Sequence, residues 1–121
     1  MEFIEKNDIK ELANPGMVSR QLLNMENSVS QRVTITEVHL ETGASQPRHT
    51  HAASEQIWYA THGTGKLLLE GDQEKEFKAG DVVRFAEKEV HGFVNDGNTE
   101  FVYISVTTPP VNFGYAYKEK R

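Results

Sequence analysis

The sequence predicts an all-β domain, either a sandwich or a closed barrel, and three observations favour this class. Short segments rich in β-branched and aromatic residues recur along the chain, as strands require. Clusters of glycine, asparagine, aspartate and proline separate these segments at close spacing. Only residues 7–12 have a helical pattern, and that segment is short.

The first half of the chain contains three predicted strands. A strand at 18–23 follows the turn Asn14-Pro15-Gly16, which separates it from the short helical segment. Residues 31–41 are filled with β-branched side chains that alternate between two faces. Residues 55–60 form the third strand, which a turn at 62–64 ends.

The strands of the second half are short, and turn signals bound them. Gly71-Asp72 is a hairpin signal, and Pro109-Pro110 ends the last strand because proline cannot donate to a sheet. The predicted strands are 65–70, one around 76–77, 82–85, 91–94 and 101–107.

We expect one domain over residues 1–121, because no linker or low-complexity tract divides the chain. The barrel core is expected at about 31–108, with an N-terminal strand or arm at 1–30 and an aromatic tail at 109–121. Phe113, Tyr115 and Tyr117 stand at i, i+2 and i+4, a spacing typical of one face of a strand.

Composition excludes several classes of function. The net charge is −5, which argues against a nucleic-acid surface. The chain has no cysteine, so disulfides, thiolate metal ligands and cysteine nucleophiles are excluded. The first residues lack a signal-peptide core, and no apolar run reaches the ~20 residues of a membrane span. We therefore expect a cytoplasmic protein without a membrane partner.

Two histidines suggest a metal site. His49 and His51 are separated by one residue, so on an extended strand their imidazoles project from the same side. A third imidazole from another strand could complete the site. Nitrogen and oxygen ligands suit a divalent Mn, Fe, Co, Ni, Cu or Zn ion.

The spacing around these histidines resembles two motifs of the cupin superfamily, G-x5-H-x-H-x(3,4)-E-x6-G and G-x5-P-x-G-x2-H-x3-N. The matching residues are Gly43, His49, His51 and Gly63 in the first motif and Gly80, His91 and Asn95 in the second. The chain departs from the second motif at Ala86-Glu87-Lys88, where the family usually has P-x-G. The resemblance covers about residues 33–108. It implies a double-stranded β-helix, the jelly-roll barrel, with one divalent transition metal per chain held by His49, His51 and His91.

Two residues compete for the fourth ligand position that the resemblance implies. Counting back six residues from Gly63 selects Gln56, whereas counting forward from His51 selects Glu55. Adjacent strand residues face opposite ways, so only one of the two can point at the ion. We favour Gln56, because the strand fixes its distance to the turn glycine, and Glu55 remains the alternative. With Gln56 as the ligand, the site lacks a carboxylate and should accept an anionic ligand.

Three further residues are candidate pocket residues. Trp58 lies on the Gln56 side of its strand and Phe93 on the His91 side, so each forms either a pocket wall or part of the core. Arg48 directly precedes His49 and either binds a substrate carboxylate or lies in solvent. We expect no functional role for the other two histidines, His39 and His62, and expect Tyr59 and Tyr103 to be packing residues.

The resemblance implies a metal-binding protein, and two functions remain open. The favoured one is a metal-dependent enzyme, such as a dioxygenase, isomerase or decarboxylase, acting on a small oxygenated organic molecule. The alternative is a barrel that binds or senses a small molecule without turnover. The resemblance also implies a homodimer, for which Val18–Leu23 and the aromatic tail would suit the interface.

Overall fold

Two antiparallel sheets make up the fold in the computed structural model, which describes residues 1–120. The strands are β1 (Lys10–Asn14), β2 (Met17–Leu23), β3 (Thr34–Leu40), β4 (Ser45–His49), β5 (Glu55–His62), β6 (Thr64–Leu69), β7 (Glu74–Lys78), β8 (Val82–Phe85), β9 (His91–Val94), β10 (Phe101–Thr108) and β11 (Glu119–Lys120). Within residues 1–120, seven strands form one sheet in the order β11-β1-β2-β3-β10-β5-β8, and four form the other in the order β4-β9-β6-β7. The all-β prediction is confirmed.

The core lies between the two sheets and changes character along its length. One end is aromatic, where Phe93 stacks on Phe101 with ring centroids 4.3 Å apart and Phe77 packs against both. The other end is lined by buried polar side chains. These are Ser19, Gln21, Thr34, Thr36, Gln56, Ser105 and Thr107. Buried polar groups need partners, so this end is the place where the fold can hold a polar site.

The predicted helix at 7–12 is wrong. Lys6–Asp8 form a single 3-10 turn, and β1 then pairs with β2 over its whole length. Leu12 and Ala13 are buried by this pairing. Tertiary pairing with a neighbouring strand therefore overrides the weak local helical pattern. Residues 45–49 add a strand that the sequence pattern did not predict.

The predicted strand through the aromatic tail is also wrong. Phe113–Ala116 form a 3-10 helix, and only Glu119–Lys120 pair as a strand, with β1. Tyr115 is 76% exposed whereas Tyr117 packs against the core, so the three aromatic side chains do not share a face. Arg121, the last residue of the predicted tail, lies outside the described residues.

The residues expected at the dimer interface, Val18–Leu23 and the aromatic tail, lie in different surroundings. Strand β2 is paired on both sides, by β1 and β3, and offers no free edge. Tyr117 is directed into the barrel, as described below. The homodimer stays a prediction, and light scattering should give twice the mass of one chain. Residues 1–120 contain no helix long and apolar enough to cross a membrane.

Candidate metal centre

Three histidines converge at the polar end of the barrel. His49 ends β4, His51 lies in the loop that follows, and His91 begins β9. Strands β4 and β9 are paired so that His49 stands opposite His91. The ring centroids are 4.3 Å apart for His49 and His91, 5.0 Å for His49 and His51, and 5.2 Å for His51 and His91. One nitrogen from each ring lies within 4.8 Å of the others, an arrangement that could hold a metal ion.

The close approach of β4 to β9 depends on Gly92, which the sequence analysis did not single out. A Cβ atom at this position would lie 2.7 Å from the carbonyl oxygen of Gln46 and 2.9 Å from the carbonyl carbon and oxygen of Pro47. The register of the strand pair shifts between Gln46 and His49, an irregularity that re-aims a side chain. Glycine beside His91 therefore allows the strand that carries His49 to reach the site.

We predict that Gly92→Ala moves β4 outward and lowers stability by about 1–3 kcal/mol, as overpacking does. The same displacement should weaken metal binding, because His49 would move away from His91. Denaturant unfolding and metal titration measure the two effects. A variant that retains wild-type stability and affinity would show that β4 adapts without moving His49.

Backbone carbonyl groups determine which ring nitrogen each histidine offers. Nδ1 of His49 lies 2.8 Å from the carbonyl oxygen of Pro47, and Nδ1 of His91 lies 3.0 Å from that of Glu89. A carbonyl oxygen only accepts, so Nδ1 carries the hydrogen in both rings. Each Nε2 atom then keeps a free lone pair. Such a backbone partner is the usual second contact of a metal-ligating histidine.

The surroundings hold two of these imidazoles in the neutral form that binds metals. Burial lowers the pKa of His91 to about 4, and the nearby His49 and His51 act in the same direction, while the hydrogen bond that its Nδ1 donates to the Glu89 carbonyl opposes the shift. Burial and the neighbouring His49 also lower the pKa of His51. Nε2 of His51 is buried without a hydrogen-bond partner. A buried ring nitrogen without a partner is unfavourable, and a metal ion bound to it would satisfy it.

Gln56 lies beside the histidines, and Glu55 does not. The Gln56 Oε1 atom accepts a hydrogen bond from Trp58 Nε1 at 3.1 Å and lies 3.2 Å from His91 Nε2, while Gln56 Nε2 donates to Thr107 at 3.0 Å. Glu55 instead accepts a hydrogen bond from Arg84 at 2.8 Å on the outer face. Because His91 already donates through Nδ1, its neutral ring brings a lone pair, without a hydrogen, against Gln56 Oε1. A cation at this point would satisfy both atoms.

A small cavity lies beside His49 and Gln56. Its volume is about 30 Å³, and its walls are Ser19, Thr36, Val38, Gln46, His49, Gln56, Trp58, Tyr103, Ser105, Phe113 and Tyr117. Trp58 is thus a wall residue, whereas Phe93 packs in the aromatic core at the other end. Arg48 is not among the described wall residues, because its guanidinium donates to the Leu69 and Gln73 carbonyls. Two larger clefts, of about 310 and 450 Å³, contain none of the three histidines of the site.

Phe113 and Tyr117 are site residues that the sequence analysis placed elsewhere. The Phe113 ring meets His51 edge-on, with centroids 5.9 Å apart, and Tyr117 is hydrogen-bonded to Ser19. The separation of 62 positions between Phe113 and His51 left no local signal of this contact. Tyr59 and Tyr103, which the sequence predicts to be packing residues, differ in their burial. Tyr59 is 48% exposed, and Tyr103 is a buried core residue stacked on Trp58.

His39 lies outside the site, in a surface network with two carboxylates. Its Nε2 atom is 2.8 Å from Glu37 and its Nδ1 atom is 3.2 Å from Glu100. Partial burial alone lowers the pKa of His39, but the hydrogen bonds and charges of the two glutamates outweigh it and raise the pKa above 6.5. The resulting stabilisation is present below pH 6.5 and is lost as the pH rises through the folded-state pKa.

We predict that Glu100→Gln lowers the pKa of His39, because it removes one of the two charges that favour the imidazolium. An NMR titration of the His39 ring measures the shift. The pH dependence of unfolding should weaken in the same variant, by a small amount because the network is partly exposed. An unchanged titration would contradict the role of Glu100.

Comparison with known proteins agrees with this fold. A family model described as a cupin domain matches residues 36–107. An uncharacterized protein of Methanocaldococcus jannaschii, MJ1618, is 29% identical over 100 residues, which are 82% of this chain and 78% of that protein.

Two solved structures with different activities in their names share the fold. A predicted oxalate decarboxylase from Thermotoga maritima is 24% identical, with a TM-score of 0.76 over 88% of this chain and 98% of that one. The polyketide cyclase RemF from Streptomyces resistomycificus is 20% identical, with a TM-score of 0.77 over 100% of this chain and 84% of that one. At such identities the likeness shows the fold and leaves the reaction open.

Proposed function

The chain belongs to the cupin domain family, and on that basis we propose that it is a metal-dependent enzyme acting on a small oxygenated organic molecule. The observation that carries the proposal is the buried, unpartnered Nε2 atom of His51, which faces two other imidazoles. Three imidazoles gathered at one point inside a barrel have no evident structural purpose, since each desolvated ring nitrogen needs a partner.

The proposed ligands are the Nε2 atoms of His49, His51 and His91 together with Oε1 of Gln56. The Nδ1 contacts of His49 and His91 to backbone carbonyls support this choice of ring nitrogen. The outward ion pair of Glu55 with Arg84 supports Gln56 over Glu55. Without thiolates, the set suits Mn, Fe, Co, Ni, Cu or Zn.

The charge of this site favours an anionic substrate. All four proposed ligands are neutral, and the described wall residues of the cavity include no Asp, Glu, Lys or Arg. A divalent ion would therefore keep its full charge, and an anionic oxygen of the substrate would compensate it. When bound, such an ion can polarise a carbonyl or enolate oxygen or activate water or dioxygen.

The described residues around the site supply positioning contacts rather than a dedicated acid–base group. Burial, together with Tyr117, raises the pKa of Tyr103 well above its usual value, so its hydroxyl stays neutral and donates to Gln46 at 2.8 Å. Trp58 orients Gln56 through its indole N–H. The contacts of Gln56 with Trp58 and Thr107 hold the proposed fourth ligand in place, while the ion and the substrate would supply the reactive groups.

The absence of a carboxylate or ammonium group from the described cavity walls also favours a second function. A barrel that retains a small molecule without turning it over needs the same ion and the same cavity but no group that transfers protons. Arg48 stays a proposed contact for a substrate carboxylate only if it leaves its carbonyl partners.

The two functions are distinguished by loading the protein with each candidate metal and supplying small hydroxy and keto acids. Product formation or O₂ consumption by the wild type that His91→Ala lacks would support the enzyme. Ligand retention without product, under the same conditions, would support the binding barrel. A protein that takes up no metal and no acid would contradict both.

A further inference from the structure

The segment after the last long strand covers the three histidines. Residues 109–120, named here the C-terminal cap, run from Pro109 through the 3-10 helix to β11. Phe113 of the cap meets His51 edge-on, and Tyr117 enters the cavity and is hydrogen-bonded to Ser19. The cap therefore closes the barrel end at which the proposed metal ligands lie.

The cavity beneath the cap is too small for an organic ligand. Its volume of about 30 Å³ has room for only about two water molecules, whereas organic ligands occupy pockets of about 300–1,000 Å³. Nine of the eleven wall residues stand on paired strands of the two sheets, and the other two, Phe113 and Tyr117, belong to the cap. The cap is the part of the wall that can move without breaking a long strand pair, because only the two-residue pairing of β11 with β1 would open.

Tyr117, which packs against the core and is hydrogen-bonded to Ser19, and hydrogen bonds near both ends of the cap hold it closed. Asn14 donates to the carbonyl of Ala116 at 2.9 Å and accepts from the backbone N–H of Lys118 at 2.9 Å. Ser54 donates to the carbonyl of Pro109 at 2.7 Å. The pairing of β11 with β1 involves only two residues, and no residue of the 3-10 helix is buried. Segments with so few buried contacts open at a small free-energy cost.

We propose that the C-terminal cap is a lid, held closed by Asn14 and Ser54, that opens to admit a ligand to the three histidines. The proposal rests on the proposed function, because the cap matters only if those histidines bind something. The lid covers the histidines when closed and removes Phe113 and Tyr117 from the cavity when open. The affinity for the substrate then depends on how easily the cap opens.

Chemical labelling of the metal-free protein tests the lid directly. Diethylpyrocarbonate acylates unprotonated imidazoles that it can reach, and peptide mass spectrometry reports each histidine separately. His51, which is 8% exposed, should react at a rate set by cap opening, whereas the exposed His62 serves as the reference in every protein. Asn14→Ala should raise the His51 rate about tenfold, because it removes two hydrogen bonds to the cap.

A matched control and a reversible lock complete the experiment. Asn98→Ala, on the exposed turn after β9, should leave the His51 rate at the wild-type value. Ala13 and Glu119 are opposite each other in the β1–β11 pair, where Cα atoms lie about 4.5–5.5 Å apart, a distance that a disulfide spans. The chain has no cysteine, so Ala13→Cys/Glu119→Cys forms one defined crosslink.

Oxidation of this double variant should lower the His51 rate about tenfold below the wild type, and a reductant should restore it. Equal His51 rates in the reduced, oxidised and Asn14→Ala proteins would mean that the histidines are reached without cap movement, and the lid would be wrong. Labelling that responds as expected in a protein that binds no metal would instead contradict the proposed function and leave the lid intact.

Discussion

The double variant His49→Ala/His51→Ala should lose the divalent metal that the wild type takes up at one ion per chain. The variant removes two of three converging imidazoles, and a lone His91 with Gln56 cannot hold an ion tightly. A ligand at 100 times its dissociation constant adds about 2.7 kcal/mol to the free energy of unfolding, which raises the melting temperature by several degrees. That increment should be present in the wild type and absent in the variant.

Elemental mass spectrometry of untagged protein and thermal unfolding with added Mn, Fe, Co, Ni, Cu or Zn measure both effects. His62→Ala is the matched control, because it removes an exposed imidazole at the end of β5 and should retain the metal. The metal-free double variant should fold, since neither side chain belongs to the hydrophobic core. If the wild-type protein bound no metal and added metal did not raise its melting temperature, the proposed metal site would be contradicted.

The positions of the site residues were predictable where strand periodicity governs them. Alternation placed Gln56 and Trp58 on one side of β5 and Glu55 on the other, and the described side chains follow this pattern. The two-residue spacing of His49 and His51 was less informative. His49 ends β4 and His51 lies in the following loop, so their rings meet through a bend in the chain and not through a shared strand face.

Long-range packing was not predictable from local pattern. Nothing in residues 7–12 indicates that β2 lies close enough to pair with them. Their local sequence pattern therefore predicted a short helix. The aromatic spacing of Phe113 and Tyr117 indicated a strand face, but Phe113 begins a 3-10 helix, Tyr117 follows its end, and both side chains line the cavity. Gly92 is a similar case, because a side chain at this position would collide with the backbone of β4, which is distant in sequence.

Gln56→Glu should raise the metal affinity about tenfold or more, because it places a unit negative charge within a few Å of a divalent ion in a poorly solvated site. In the metal-free protein the same change should lower the free energy of unfolding by about 1–3 kcal/mol. The new carboxylate would be buried and would face the lone pair of His91 Nε2, with only Trp58 Nε1 and the Thr107 hydroxyl to donate to it. The stabilisation gained on adding metal should therefore exceed that of the wild type.

Glu55→Gln is the matched control, since it makes the same chemical exchange in reverse at the adjacent residue. It removes only an exposed ion pair with Arg84, so metal affinity should stay within about twofold and stability within about 1 kcal/mol. Calorimetric titration of the two variants with one metal gives the comparison. The opposite result, in which Glu55→Gln weakens binding and Gln56→Glu leaves it unchanged, would assign the fourth ligand to Glu55. That outcome would require β5 to turn its outer face inward, which would also move Trp58 out of the cavity. A single pair of amide and carboxylate exchanges thus tests both the ligand and the strand register on which its assignment depends.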